Sequence, residues 1–76
     1  MKNLKTYRKE LQEPKCSRER LARLSDISLH TLERAESGKG VIKYSTAKSI
    51  TDALNTLRKS QGLSRVSVVS LHLKLW

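Results

Sequence analysis

The 76-residue sequence has few of the groups that build a large or cross-linked core. It contains one cysteine, one proline, one tryptophan, two tyrosines and no phenylalanine. Cys16 has no second cysteine to form a disulfide or complete a metal site, so we expect no disulfide, metal or other cofactor. We interpret Cys16 as a small buried apolar residue. A chain this short forms one domain with a small core, so a monomer is marginally stable and oligomerisation is expected.

Long hydrophobic runs are also missing, because no apolar run in the sequence exceeds two residues. This pattern predicts neither a secretory signal nor a membrane span, and therefore a cytoplasmic protein. Acidic residues are scarce: 16 basic residues stand against seven acidic ones, for a net charge of +9. Such an excess favours a polyanionic partner, either nucleic acid or an anionic membrane, with a merely solubilising surface as the plain alternative.

The charge is unevenly distributed along the chain. Residues 1–23 carry eight basic and three acidic groups, residues 24–44 carry three of each, and residues 45–76 carry five basic and one acidic. Basic segments on either side of a near-neutral centre suit a protein that contacts phosphates beside a surface that contacts bases.

Apolar residues at helical spacing predict four helices, at about 4–12, 17–25, 28–37 and 45–59. Pro14 ends the first helix. The predicted N-caps of the other three are Ser17, Ser28 and Ser45. Asp26 stops the second helix, since Asp tolerates left-handed backbone better than most residues. Gly38 and Gly40 end the third.

Each predicted helix has a distinct buried side. The buried stripe of the fourth helix is Ala47, Ile50, Ala53, Leu54 and Leu57. In the third helix Leu32 and Ala35 point inward. The residues that point outward from it are Leu29, His30, Glu33, Arg34 and Ser37. That outward side lacks an apolar stripe and is available to contact another molecule.

The period changes from helical to alternating after residue 65. This pattern predicts a half-buried C-terminal strand within a tail at 61–76, following a domain at 1–60. A lone strand needs a partner for its backbone, and the economical partner is the same strand of a second copy. The predicted dimerisation residues are Val66, Val68, Val69, Leu71, Leu73 and Leu75. The alternative is a fifth helix with the tail packed on the domain.

Residues Arg18 to Ser37, RERLARLSDISLHTLERAES, resemble the helix-turn-helix of the phage-repressor family (lambda-repressor-like, Cro-like, Xre-type). The resemblance lies in Leu21-Ala22, Ile27-Ser28, Leu32, Glu36 followed by Gly38, and STAKSITDALN at 45–55. It covers about residues 15–57. It implies a mainly α, four-helix, lambda-repressor-like domain whose third helix enters the DNA major groove.

The resemblance also implies site residues. Those that contact base edges are Leu29, His30, Glu33 and Arg34, and those that contact phosphate are Arg18, Ser28, Thr31, Lys39 and Lys43. Simpler roles stay open for several of them. His30 is otherwise a surface histidine, Glu33 an ion-pair partner, and the two lysines solubilising groups. Tyr44 contacts the DNA backbone or closes the core, and we favour the core.

Three positions depart from the family pattern. Asp26 stands where Gly is preferred, and Arg18 stands where Gln is common. Leu11 stands where an arginine often pairs with the glutamate of the third helix. The partner of Glu36 is therefore Arg8, Arg34 or a local backbone cap.

Together these features predict a transcription regulator, a repressor that binds a two-fold DNA operator as a homodimer in the cytoplasm, associated with the nucleoid. The alternative is an antitoxin whose tail binds a toxin protein. We expect no enzyme, because His30 and His72 lie on separate elements and Gly38-Lys39-Gly40 lacks the phosphate-loop pattern. RNA binding lacks an aromatic stacking platform, and membrane binding lacks a suitable amphipathic helix.

Overall fold

The structure of the protein, a computed structural model, describes residues 2–12 and 14–75, so Met1, Glu13 and Trp76 lie outside the described residues. The described elements are α1 (Leu4–Lys9), α2 (Arg18–Ser25), α3 (Leu29–Ser37), α4 (Tyr44–Ser60) and a 3₁₀ helix (Val69–Leu71). The prediction of a small, mainly helical domain is confirmed. No helix in these ranges has the length and apolar character needed to cross a membrane.

The helix starts follow the predicted caps at two of three places. The Ser17 side chain accepts a hydrogen bond from the Arg20 N–H, and the Ser28 side chain accepts one from the Thr31 N–H. The predicted cap at Ser45 is wrong. Lys43, in extended conformation, is the N-cap of α4, so the chain enters the helix before it reaches Ser45.

The first helix is shorter than predicted. It ends at Lys9, although Leu11 is still buried in the core. The Gln12 N–H donates to Gln61 Oε1 over 2.9 Å instead of to a helical carbonyl, and Gln12 and Lys15 form an isolated antiparallel bridge. The backbone at Gln12, which the apolar pattern assigned to α1, is therefore hydrogen-bonded to the end of α4 instead.

A tight turn joins α2 to α3. Asp26 takes the left-handed conformation, with φ 59° and ψ 43°, and the Ile27 N–H donates to the Ala22 carbonyl over 3.0 Å. A residue with a side chain is mildly strained in this left-handed conformation. The aspartate nevertheless ends α2 where the sequence predicted.

The core lies between α4 and the other helices. Its fully buried side chains include Leu21 of α2, Leu32 of α3 and three residues on the predicted stripe of α4, namely Ala47, Ile50 and Leu54. Ala53 is only half-buried. Cys16 is buried, as predicted.

Two polar residues of α4, Thr51 and Arg58, are also buried, although the predicted buried stripe contained only apolar residues. Thr51 Oγ1 donates to the Ala47 carbonyl over 2.8 Å. Arg58 pairs with Glu10 over 2.7 Å and donates to the Ser64 carbonyl over 2.6 Å. Hydrogen bonds from Lys2 and then Arg58 lower the pKa of Glu10 below its usual value. Arg58 therefore connects the end of α1 to the segment that follows α4.

The C-terminal tail packs on its own domain. Val66 and Leu71 are buried in the core, and residues 69–71 form the 3₁₀ helix. Asn55 of α4 exchanges two hydrogen bonds of 2.8 Å with the backbone of Val66. In the described part of the tail no strand forms, so the predicted strand is wrong. The tail resembles the alternative of a tail packed on the domain, with a 3₁₀ turn in place of a fifth helix.

The predicted dimerisation residues are divided among three environments. Val66 and Leu71 are buried inside one chain and do not form a strand that a second copy can pair with. Val68 and Leu73 are partly buried against the core, whereas Val69 and Leu75 are exposed. The alternating pattern did not predict this structure because only Val66 and Leu71, five positions apart, are buried. These two residues anchor an irregular segment to the core.

The buried and the exposed positions of the tail can be compared with one pair of variants. Leu71→Ala should lower the free energy of unfolding by about 2–4 kcal/mol, because Leu71 is 1% exposed and its removal leaves a cavity. Val69→Ala, at 81% exposure, should change it by less than about 0.5 kcal/mol. Urea denaturation measures both values, and equal effects of the two substitutions would contradict this placement of the tail.

Candidate nucleic-acid interface

Helix α3 has one side in the core and one side in solvent. Leu32 and Ala35 are buried. The residues on the outward side, all exposed, are Leu29, His30, Glu33, Arg34 and Ser37. The predicted orientation of the helix is confirmed, and the four predicted base-contacting residues lie on one helix face.

A buried ion pair fixes the C-terminal half of α3. Arg8 Nε lies 2.6 Å from Glu36 Oε2, and Arg8 Nη2 lies 3.2 Å from Glu36 Oε1. The two side chains are only 9% and 4% exposed. Arg8 Nη1 also donates to the Cys16 carbonyl over 2.9 Å. Of the three partners considered for Glu36, Arg8 is therefore the one found, and this planar guanidinium joins α1, α3 and the segment before α2.

Arg18, at the start of α2, extends this network to the surface. Its Nε lies 3.6 Å from Glu36 Oε1, and its Nη1 lies 3.6 Å from Glu33 Oε2. Arg18 and Glu33 are about half exposed, so their pair is weak and a stronger anion can displace it. The ion-pair role considered for Glu33 is found, and it leaves the carboxylate on the outward side of α3.

A depression of about 380 Å³ lies where α3, the loop after it and the start of α4 meet. It contains two cations and two hydroxyls, and its lining residues are Thr31, Arg34, Val41, Ile42, Lys43 and Thr46. The structure thus brings the predicted Thr31 and Lys43 together with Arg34. Sequence reasoning missed Val41, Ile42 and Thr46, although the position of Thr46 in the first turn of α4 was a usable signal.

The loop itself places Arg34. Gly40 has φ +79°, and a Cβ atom built on it would overlap the Arg34 guanidinium. The guanidinium therefore lies against the loop, at the edge of the depression. Gly40 is needed both for its backbone conformation and for this close approach, whereas the sequence suggested only that it ends the helix.

The remaining predicted contacts are more dispersed. Ser28 caps α3, and its hydroxyl lies 2.8 Å from that of Thr31. Lys39 is exposed on the loop. Tyr44 is exposed and lines a separate depression with Val68, so its preferred assignment to the core is wrong.

The cysteine and the second histidine do not line the depression. Burial raises the pKa of the Cys16 thiol. His72 Nδ1 lies 2.7 Å from the Lys2 carbonyl, which places His72 beside the start of the chain. Among residues 2–12 and 14–75, no cluster of His, Cys, Asp and Glu has the arrangement of a metal site.

Comparison of the chain with protein-family models, with curated proteins and with solved structures found no match. The chemistry of the face is therefore inferred from its own residues. Those residues combine hydrogen-bond donors and acceptors on an exposed helix with cations and hydroxyls beside it. Groups of this kind suit a ligand that carries both phosphates and base edges.

The buried pair can be tested by neutralising one carboxylate at a time. Glu36→Gln should lower the free energy of unfolding by about 3 kcal/mol, because it leaves the buried Arg8 charge without its counter-charge. The matched control is Glu33→Gln on the same helix, where the exposed pair predicts a change within about 0.5 kcal/mol. Urea denaturation at one pH gives both values, and a tolerated Glu36→Gln would argue against the role of the pair.

Proposed function

We propose that the chain is a helix-turn-helix regulator of transcription, of the phage-repressor-like type, in which α3 enters the major groove of DNA. One observation carries this proposal: the inner side of α3 is fixed by the core and the Arg8–Glu36 pair while its outer side is exposed. A helix held in this way can enter a groove as a rigid body, so little order has to be gained on binding.

The residues around α3 carry charge complementary to that of a DNA duplex. Arg34 and Lys43 line the depression on one side of the helix, and Arg18 lies at the start of α2 on another. A DNA phosphate is a stronger partner for Arg18 than the half-exposed Glu33. Arg18, Lys39 and Lys43 supply the phosphate contacts, and the net charge of +9 accelerates association with DNA.

Base contacts come from the exposed side of α3. Leu29 contacts a thymine methyl group, and His30 donates to or accepts from a base edge. Glu33, released from Arg18, accepts from the N4 amino group of cytosine. Arg34 of α3, whose guanidinium lies against the loop, turns to contact the O6 and N7 atoms of guanine. The helix therefore distinguishes several base pairs, as a sequence-specific regulator requires.

Two copies on a two-fold operator would give the affinity that one small domain lacks. Because the tail is folded back, we infer that the dimer does not form by strand pairing. Binding of such a dimer represses transcription by excluding the polymerase. The antitoxin alternative requires Val66 and Leu71 to leave the core before the tail can bind a toxin, and the folded tail does not favour it.

Selection of binding sites from random duplex DNA tests the function directly. We expect enrichment of a two-fold site whose half-sites are about 34–36 Å apart, one helical turn. Binding should weaken steeply with salt because phosphate contacts release counterions. Failure to enrich any sequence, at low salt and micromolar protein, would count against the proposal.

Two substitutions distinguish base contacts from phosphate contacts. Arg34→Ala should relax the preference at one operator position, with a loss of about 1–3 kcal/mol for the preferred base. Lys43→Ala should weaken binding to all sequences equally and reduce the slope of log K against log salt by about one for each bound chain. Quantitative binding to a panel of single-base operator variants separates the two patterns. If Arg34→Ala preserved the full sequence preference, Arg34 would not contact a base.

A further inference from the structure

We propose that the C-terminal tail positions the phosphate-binding depression, so that residues 74–75 of a chain control the DNA affinity of that same chain. This inference rests on the proposed function and assigns the depression to one backbone phosphate of DNA. It makes the tail a positioning element that need not contact DNA itself. The evidence is the way in which the tail holds the loop between α3 and α4.

The loop at 38–42 lies between the end of α3 and Lys43, the N-cap of α4. It begins with Gly38 and includes Gly40, both at positive φ, and glycine gives a loop more conformational freedom than any other residue. The tail supplies support at Ile42. The Ile42 N–H donates to the Lys74 carbonyl over 2.8 Å, and Ile42 and Leu75 form a parallel bridge. The Ile42 side chain is buried beneath this contact.

The tail is anchored independently of the loop. Asn55 holds Val66 at its start through two hydrogen bonds, and Leu71 is buried in the core. The His72 ring contacts the Lys2 carbonyl over 2.7 Å. Residues 74–75 therefore follow a segment that is fixed without the loop. The tail supports the loop, and the tail does not depend on the loop for its own position.

The contact at Ile42 acts on the depression because both chain neighbours of Ile42 line it. Val41 and Lys43 border the same space as Thr31 and Arg34. The position of Ile42 sets the separation of the cation on the loop from the cation on α3. If the loop were released, binding of a phosphate by Lys43 would first have to order the loop, which weakens affinity.

The test compares three forms of the chain: the full chain, residues 1–73, and Lys74→Ala. The shortened chain loses the carbonyl that accepts from Ile42. It should bind the selected operator about tenfold more weakly and lose about one per bound chain from its salt slope, because one phosphate contact in each chain becomes disordered. Lys74→Ala is the matched control, because it removes the charge but keeps the carbonyl. It should bind within about threefold of the full chain.

Two measurements without DNA make the test specific. Hydrogen exchange should show a protected Ile42 amide in the full chain and in Lys74→Ala, and faster exchange in residues 1–73. Analytical ultracentrifugation should give the same oligomeric state for all three. If the shortened chain fails to fold by circular dichroism, an ester in place of the Val41–Ile42 amide, made by chemical synthesis, removes the donor while keeping every side chain. The expected loss of affinity is the same.

The outcomes separate this inference from the proposed function. Equal operator affinity of the full chain and residues 1–73 (or the ester form) would overturn the inference alone. A shortened chain that loses affinity because its dimers dissociate would also overturn it, since the tail would then be an interface. A full chain that binds no duplex DNA would overturn the proposed function and this inference with it.

Discussion

The buried pair of Arg8 and Glu36 is the contact on which the orientation of α3 depends. Its two nitrogen–oxygen contacts, with a third to the Cys16 carbonyl, hold the end of α3 at a fixed angle to α1 and to the entry of α2. A purely apolar contact would stabilise this position but would allow the helix to slide or rotate more easily. The planar geometry of the guanidinium restricts both motions, and the low exposure of the pair keeps salt from weakening it.

Local sequence patterns predicted much of the fold and of the candidate face. Ser17, Ser28, Asp26 and Gly38 act through neighbours within a few residues, so the boundaries of α2 and α3 followed from the sequence. The exposure of the outward side of α3 followed from the positions of Leu32 and Ala35. These features depend on short-range geometry, for which the order of residues is sufficient information.

Features that depend on distant residues were not predicted. The alternating Val and Leu residues of the tail are compatible with a strand, but Asn55 and the core give the same residues partners within one chain. The sequence reduced the partner of Glu36 to three possibilities, and the three-dimensional path of α1 selected Arg8. The approach of Lys74 to Ile42 spans more than thirty positions, and no periodicity indicates it.

The pairing of Asn55 with Val66 has a consequence for how a helix can hold an extended segment. The backbone groups in the middle of a helix are already used within it, so α4 has no free edge to offer. A primary amide side chain carries one acceptor and two donors, and can imitate the peptide group of a neighbouring strand. Asn55 thus lets α4 form one pair of hydrogen bonds like the pair that joins two residues of neighbouring strands. An isosteric aspartate retains only acceptors, and glutamine sets the amide one methylene too far out, so asparagine is the side chain that matches both the chemistry and the reach of this position.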